Sequence, residues 1–204
     1  MANVLAAIVE RKRVEVADRL TGPSFDPAPS RRSLRAALAG PGARFIMEVK
    51  RASPSGHRSR LSPADAVAAY APVADAISVL TDGPGFAGSL DDLRQARTLF
   101  DGPILAKDFI VDPRQVTEAR AAGADAVLAM LSVLSDDEAR AVSAEAARLN
   151  MDVIFEVHDA EELKRSLSLQ PRPPAPRRRT APTASPARRR RRPPAPRPPG
   201  AGRP

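Results

Sequence analysis

Short apolar segments recur along the first 160 residues of the chain at a nearly regular interval. Their centres lie 32, 26, 24 and 26 residues apart, and almost every position within each segment is apolar. Such segments are typical of strands that are buried on both faces of a parallel sheet. The pattern therefore predicts five β-strands, at residues 44–49, 76–80, 103–106, 125–131 and 152–157.

Helical patterns fill the intervals between the predicted strands, with apolar residues at every third or fourth position. Ser89, Asp112 and Ser135 precede three of these patterns, and each offers a side-chain oxygen that can cap a first helical turn. Two more helices are predicted before the first strand. The predicted helices cover roughly residues 2–20, 32–39, 63–71, 89–99, 113–122 and 135–149.

Strands that alternate with helices indicate an α/β protein with a parallel sheet, and two architectures fit the pattern. One is an open, doubly wound sheet. The other is a partial (β/α)8 TIM barrel, of which this chain would hold about five β/α units. A dinucleotide-binding sheet carries a G-x-G-x-x-G loop after its first strand, and no such loop follows residues 44–49. This absence weighs against the dinucleotide-binding class.

The charge distribution divides the chain into two unlike parts. Residues 164–204 hold 13 of the 32 Lys and Arg residues, 12 of the 22 prolines, and no acidic residue. Residues 1–163 hold 19 basic and 24 acidic residues, which gives them a net charge of −5. We therefore predict a folded domain over 1–169 and a disordered, basic Pro/Arg-rich tail over 170–204, because the tail has too few apolar residues to offset chain entropy.

The composition also bears on the cellular compartment. The chain has no cysteine, so disulfides and thiolate metal sites are excluded. No apolar run approaches the roughly 18 residues that a membrane span requires, and the first 20 residues do not resemble a signal peptide. We expect a cytoplasmic protein with no membrane partner.

Four charged side chains interrupt the predicted strands near their C-terminal ends. Glu48 and Lys50 are two residues apart and so point to the same side of a strand. Lys107 ends the third strand, and Glu156 lies near the end of the fifth. A charge at the C-terminal end of a buried strand is costly unless it binds a partner or takes part in chemistry, and barrel active sites form at this end. The set favours proton transfer around an anionic substrate, since lysine can donate a proton and a buried glutamate can exchange one.

The two histidines are interpreted as loop or surface residues. His57 follows Gly56 in a predicted loop, and His158 ends the fifth apolar segment. Two histidines so far apart in sequence do not form a metal site. No Ser-His-Asp arrangement is visible.

Several motifs together resemble the indole-3-glycerol phosphate synthase family. They are EVKRASPSG (48–56), SVLTD (78–82) with FAGS (86–89), PILAKDFIVDPRQVTEARAAGADAVLAMLSVL (103–134) and FEVH (155–158). The resemblance runs from about residue 2 to 168, and MLSVLSDDE is most similar to the synthase half of bifunctional enzymes that also carry phosphoribosylanthranilate isomerase.

The resemblance implies a (β/α)8 barrel with an additional N-terminal helical segment. It also implies a lyase of tryptophan biosynthesis, which closes the pyrrole ring of 1-(2-carboxyphenylamino)-1-deoxyribulose 5-phosphate and releases carbon dioxide and water. The expected partner is thus a phosphorylated small-molecule substrate. Neither a cofactor nor a metal is expected.

Roles for individual residues also follow from the resemblance. Lys107 corresponds to the general acid of ring closure, and Lys50 to the lysine that contacts substrate anions and assists dehydration. Glu156 corresponds to the general base of the late steps, and Glu48 to the carboxylate that orients the set. The residues expected to contact the substrate are Ser53, Pro54, Phe86, Phe109 and Leu128.

The sequence departs from the family pattern after about residue 168. A sixth strand ending in an I-N-N-R-like segment, a seventh ending in E-S-G and a glycine-containing phosphate loop are expected there, and the Arg/Pro-rich tail follows instead. A frameshift near 169–171 explains this composition, because Arg, Pro, Ala and Gly all have GC-rich codons. We expect the 204-residue chain to be catalytically inactive or nearly so. The alternative is a genuine tail that binds nucleic acid through its arginines without sequence preference.

Overall fold

A five-stranded parallel β-sheet forms the centre of the protein, in a computed structural model that describes residues 4–22 and 26–169. Neighbouring strands pair in chain order, and every pair is parallel. The strands are β1 (Ile46–Val49), β2 (Ala76–Leu80), β3 (Ile104–Lys107), β4 (Ala126–Met130) and β5 (Asp152–Glu156). All five were predicted, and only β3 extends beyond its predicted segment, by one residue that is Lys107.

Helices precede the sheet and follow each of its strands. The helices are α1 (Val4–Arg19), α2 (Leu34–Leu38), α3 (Pro63–Tyr70), α4 (Leu90–Leu99), α5 (Arg114–Ala122), α6 (Asp136–Arg148) and α7 (Ala160–Leu169). The first six match the predicted helices to within a few residues. The seventh completes a fifth β/α unit.

The position of the helices and the order of the strands distinguish between the open doubly wound sheet and the partial barrel. Each helix from α3 to α7 contributes buried side chains to one hydrophobic cluster, which also contains Ile77, Ile104 and Val127 from the strands. These helices therefore cover a single face of the sheet. A doubly wound sheet would have helices on both faces and a reversal in strand order. The sequential order and the single helical layer are those of five consecutive units of a TIM barrel.

The other face of the sheet is closed at its N-terminal end by α2. Leu34 of this helix is buried in a second cluster with Ala76, Leu105 and Ala126, which occupy early positions on their strands. Since side chains alternate along a strand, later residues on the same face point towards the opposite, C-terminal end. That end of the face is therefore available for polar chemistry.

Capping side chains begin the helices largely as predicted. Ser89 and Ser135 accept hydrogen bonds from Asp92 N–H at 3.1 Å and from Glu138 N–H at 3.3 Å. Glu138 also accepts from the backbone N–H of Ser135, which completes a capping box. Helix α5 begins at Arg114, one residue later than predicted, and Asp112 Oδ1 accepts the N–H of Arg114 at 2.8 Å.

Helix α1 is attached to the rest of the protein by charged side chains. Of its residues, only Lys12 and Val16 are buried. Arg13 forms an ion pair with Glu138 of α6 at 2.8 Å. The apolar positions of α1 suggest a continuous buried face, but Val4 is exposed and the contacts are largely electrostatic.

A buried carboxylate ties the N-terminal segment to the strand layer. Asp125, immediately before β4, is fully buried and accepts a hydrogen bond from the Ser30 hydroxyl at 2.6 Å. It also receives Arg97 at 2.7 Å and Arg120 at 3.1 Å, and it accepts the N–H of Ile104 at 3.0 Å. Two cations and two hydrogen bonds therefore compensate the cost of burying this charge.

No helix within residues 4–22 and 26–169 is both long and apolar enough to cross a membrane. The predicted disordered tail at 170–204, with the nucleic-acid binding that depends on it, lies outside the described residues.

Candidate active site

Three of the four predicted charged residues meet at one end of the sheet. Glu48 on β1 binds Lys50 through Oε1 at 2.8 Å and Lys107 of β3 through Oε2 at 3.0 Å. All three side chains are about one third exposed, so their polar ends reach solvent. One carboxylate thus holds two ammonium groups side by side at the C-terminal ends of two parallel strands.

Strand geometry explains why these residues meet. Glu48 lies opposite Ser78 in the β1–β2 register, and Leu80 lies opposite Lys107 in the β2–β3 register. Ser78 and Leu80 share a face of β2, because they are two residues apart. Glu48 and Lys107 therefore point to the same face with β2 between them, and their long side chains meet across that strand.

The two lysines keep Glu48 ionised. Its partial burial raises the pKa of the carboxyl, but hydrogen bonds and charge from Lys50 and Lys107 lower it more strongly. The net pKa of Glu48 is lowered from its ordinary value of 4.5. At neutral pH this group is therefore a carboxylate that accepts hydrogen bonds from both ammonium groups.

Glu156 lies on the same sheet face but apart from this cluster. It is opposite Met130 in the β4–β5 register. His158 Nε2 lies 3.3 Å from Glu156 Oε1, and His158 Nδ1 lies 3.3 Å from Glu162 Oε2. Within the described residues no ion pair joins Glu156 to Lys50 or Lys107. The structure thus does not place this carboxylate in contact with the lysine pair.

The loop after β1 carries the predicted Ser53 and Pro54 against the loop after β2. The N–H of Ala52 donates to the carbonyl oxygen of Phe86 at 3.1 Å. Ser53 Oγ and Ser55 Oγ are 2.7 Å apart, and both side chains are near the surface. The two loops therefore form one rim beside the lysine pair.

Phe86, Phe109 and Leu128, the apolar residues that the family resemblance assigned to the substrate, lie on or after neighbouring strands. The rings of Phe86 and Phe109 have centroids 6.1 Å apart and are tilted by 51°. Leu128 is buried on β4, on the face that carries Lys107. Gly88 allows the loop after β2 to fold back, because a methyl group there would collide with the carbonyl oxygen of Leu80. The two aromatic rings thus come from neighbouring loops.

Both histidines are exposed, as the sequence predicted, and both lie near the candidate site. His57 is exposed, and with Lys50 and Tyr70 it lines a cavity of ≈ 260 Å³ beside β1. His158 is also exposed and contacts Glu156. In residues 4–22 and 26–169, no three His, Cys, Asp or Glu side chains form a group that could hold a metal ion.

Sequence reasoning missed several polar residues around the site. Ser78 is only 4% exposed, and its hydroxyl has no hydrogen-bond partner among the described residues. Arg51 joins the loop after β1 to Asp92 of α4, with Nε 3.0 Å from Oδ2. Lys12 of α1 forms an ion pair with Asp82, which lies in the loop after β2, at 2.6 Å. The apolar pattern gave no signal for the contacts of Arg51 and Lys12, because each joins elements that are distant in sequence.

A family model described as indole-3-glycerol phosphate synthase matches residues 5–172. The chain belongs to the indole-3-glycerol phosphate synthase family. The match covers all five strands and all seven helices of the described residues, except for the first residue of α1. The five β/α units are thus part of the TIM barrel of a member of this synthase family.

The relatives that are similar to this chain differ in length. The chain is 48% identical over 176 residues to the "Tryptophan biosynthesis protein TrpCF" of Vibrio parahaemolyticus, with 83% of this chain and 37% of that protein covered. It is 45% identical over 186 residues to the "Indole-3-glycerol phosphate synthase" of Rhizorhabdus wittichii, with 84% and 70% covered. The TrpCF protein of Corynebacterium glutamicum is 44% identical over 177 residues, with 83% and 37% covered. The chain therefore spans just over a third of the TrpCF proteins and 70% of the Rhizorhabdus synthase.

Proposed function

We propose that this protein acts as an indole-3-glycerol phosphate synthase, a carboxy-lyase of tryptophan biosynthesis. It would form indole-3-glycerol phosphate from 1-(2-carboxyphenylamino)-1-deoxyribulose 5-phosphate, with loss of carbon dioxide and water. The observation that carries the proposal is the Glu48 carboxylate holding Lys50 and Lys107 at the C-terminal ends of β1 and β3. Membership of the synthase family supports the same reaction.

Lys107 is proposed to donate the proton of ring closure. In this step an aromatic ring carbon of the substrate attacks the ketone carbon, and the electron pair of the carbonyl bond moves to oxygen. A proton from Lys107 Nζ turns that oxygen into a hydroxyl. Its hydrogen bond to Glu48 at 3.0 Å fixes the ammonium in place, and its partial exposure leaves it accessible to a ligand.

Lys50 and Glu156 are proposed to act before and after ring closure. The positive charge of Lys50 would attract substrate anions and later assist loss of the hydroxyl group as water. Glu156 would accept the proton that leaves in the late steps. Because Glu156 contacts His158 and not the lysines, its role requires the substrate to extend across the sheet face from β1 and β3 to β5.

The aromatic part of the substrate would lie between apolar side chains. Phe86, Phe109 and Leu128 supply a wall, while Ser53 and Pro54 lie on the facing rim. Excluding water from this region strengthens the attraction between the lysines and the substrate anions, since the local dielectric constant falls.

A fusion protein tests the proposal. Residues 1–169 of this chain would be joined to the part of the Rhizorhabdus synthase that follows the matched region. We expect the fusion to form indole-3-glycerol phosphate and to rescue a tryptophan auxotroph, and Lys107→Ala in the fusion to lower the rate of formation by about 10²–10⁴-fold. A folded fusion without activity, or one whose rate Lys107→Ala leaves unchanged, would refute the assigned site.

The 204-residue chain by itself is expected to turn over substrate slowly or not at all. Residues 170–204 contain neither an I-N-N-R-like nor an E-S-G segment and no glycine-rich phosphate loop of the expected kind. The same assay on this chain, run beside the fusion, measures the difference. Equal rates in the two proteins would show that this expectation is wrong and leave the assigned site intact.

A further inference from the structure

A lysine of α1 is buried beside the proposed site and has no role in the proposed reaction. Lys12 is 1% exposed, although it lies on a helix whose other side chains mostly face solvent. Its ammonium lies 2.6 Å from Asp82 Oδ1 and 3.0 Å from Asp108 Oδ1. A third carboxylate, Glu15, is 3.3 Å away on the same helix.

The charges of this cluster compensate one another. Burial lowers the pKa of Lys12, but Asp108 and Asp82 raise it more, so the net pKa lies above 10.5 and the group stays positively charged. Asp82 is fully buried and also receives two hydrogen bonds from Arg11, at 2.9 and 3.1 Å. In proteins, replacing a buried ion pair by apolar residues is often neutral for stability, so the geometry that this cluster imposes is the more informative property.

The two aspartates lie just beyond the C-terminal ends of neighbouring strands. Asp82 follows β2 by two residues, and Asp108 follows Lys107, the last residue of β3. Between them, the Thr81 hydroxyl donates to Asp108 Oδ2 at 2.8 Å, and the N–H of Thr81 donates to the Lys107 carbonyl oxygen at 3.0 Å. Lys12 therefore binds the ends of β2 and β3 to each other and both to α1.

Each aspartate also begins a segment that carries a proposed substrate contact. Asp82 begins the loop that bears Phe86, and the N–H of Gly88 donates back to the Asp82 carbonyl oxygen at 3.0 Å. Asp108 separates Lys107 from Phe109, and its Oδ1 accepts the N–H of Phe109 at 2.7 Å. The Lys12 ammonium thus binds the residue that follows the proposed acid Lys107 and the residue that begins the loop bearing Phe86.

We propose that Lys12 is a positioning residue, whose ammonium holds the segments after β2 and β3 together so that Lys107, Phe86 and Phe109 keep one mutual geometry. Helix α1 is then part of the substrate site, although none of its residues contacts the reacting atoms. The consequence for substrate affinity rests on the proposed function. The geometric part of the proposal, that Lys12 holds the segments after β2 and β3 together, does not depend on that function.

Hydrogen exchange on the 204-residue chain tests the geometric part. Lys12→Met keeps the length of the side chain but leaves two buried carboxylates without their shared cation. Lys164→Met is the matched control, since Lys164 is exposed on α7. We expect amide exchange in residues 80–88 and 107–111 to accelerate by at least about tenfold in Lys12→Met alone, with residues 125–130 of β4 unchanged. Unchanged exchange in both segments, or equal acceleration everywhere, would overturn the proposal.

Substrate binding by the fusion with the Rhizorhabdus synthase, with and without the same two substitutions, tests the consequence for the site. The anthranilate ring of the substrate fluoresces, so its binding can be followed directly. We expect Lys12→Met to weaken binding while Lys164→Met leaves it unchanged. Faster exchange in the two segments with unchanged affinity would show that Lys12 is structural only. Failure of the unsubstituted fusion to bind would count against the proposed function, and the exchange data would still decide whether Lys12 holds the segments.

A second substitution keeps the test decisive if Lys12→Met does not fold. Asp108→Asn preserves the shape of the side chain and its acceptor oxygen but removes one negative charge from the cluster. We expect the same two segments to exchange faster, by a smaller factor than in Lys12→Met. Exchange identical to that of the unsubstituted chain would contradict the proposal.

Discussion

The Nζ atom of Lys107 lies 3.0 Å from Glu48 Oε2, although β2 separates the strands that carry the two residues. Between them on β2 stands Ser78, the register partner of Glu48. Ser78 is only 4% exposed, so the two longer side chains meet across a strand whose own side chain at this position is buried.

The first prediction concerns the proposed proton donor. In the fusion with the Rhizorhabdus synthase, Lys107→Ala should lower the rate of indole-3-glycerol phosphate formation by about 10²–10⁴-fold, the usual contribution of general acid catalysis. It should cost more than any other single substitution among the site residues named here. His57→Ala is the comparison, since that side chain is exposed and should be nearly neutral. If the two substitutions were equally damaging, the roles given to the strand-end charges would be wrong.

Lys50 and Glu156 should give different kinetic signatures in the same fusion. Lys50→Ala should raise KM and lower kcat, because its charge meets substrate anions in the ground state as well as in the transition state. Glu156→Gln should lower kcat with little change in KM, since it acts only in the late steps. Steady-state kinetics with binding measured separately would check both. Tight binding by Lys50→Ala would contradict its assignment.

The lowered pKa of Glu48 predicts a dependence of stability on pH. A carboxyl group whose pKa is lower in the folded state contributes stability above its ordinary pKa of 4.5, and that contribution is lost as the pH falls through the folded value. Glu48→Gln should therefore be less stable than the unsubstituted chain at pH 7, by about 1 kcal/mol or less because the partners are partly exposed. Denaturant unfolding at several pH values should show the difference vanish in acid. A difference that grows towards low pH would have the wrong sign.

The buried Asp125 should matter for stability and not for chemistry. Asp125→Ala leaves Arg97 and Arg120 without their shared partner, which should cost about 3–5 kcal/mol in the free energy of unfolding. Asp91→Ala is the control, because Asp91 is an exposed aspartate of α4 and should stay within about 0.5 kcal/mol. Urea unfolding of both variants measures this. A small effect at Asp125 would mean that the arginines find other partners.

Local sequence was sufficient to predict all five strands and the first six helices of this protein. Apolar runs marked all five strands to within two residues at each end, and Ser89 and Ser135 cap their helices as predicted. These features depend on neighbours within a few positions, so their physics is contained in short stretches of chain. The alternation along β1 also indicated correctly that Glu48 and Lys50 share a face. The roles of the site residues came from motifs and stay predictions.

The sequence thus determined the strands, the helices, the family and which charged residues end the strands. Only the tertiary structure decided that Glu48 meets both lysines while Glu156 pairs with His158, and that Lys12 of α1 is buried and binds Asp82. The contacts from Glu48 to Lys107 and from Lys12 to Asp82 join residues 59 and 70 positions apart, through side chains with several rotatable bonds. Their geometry depends on strand register, sheet twist and desolvation, which exist only once the chain has folded.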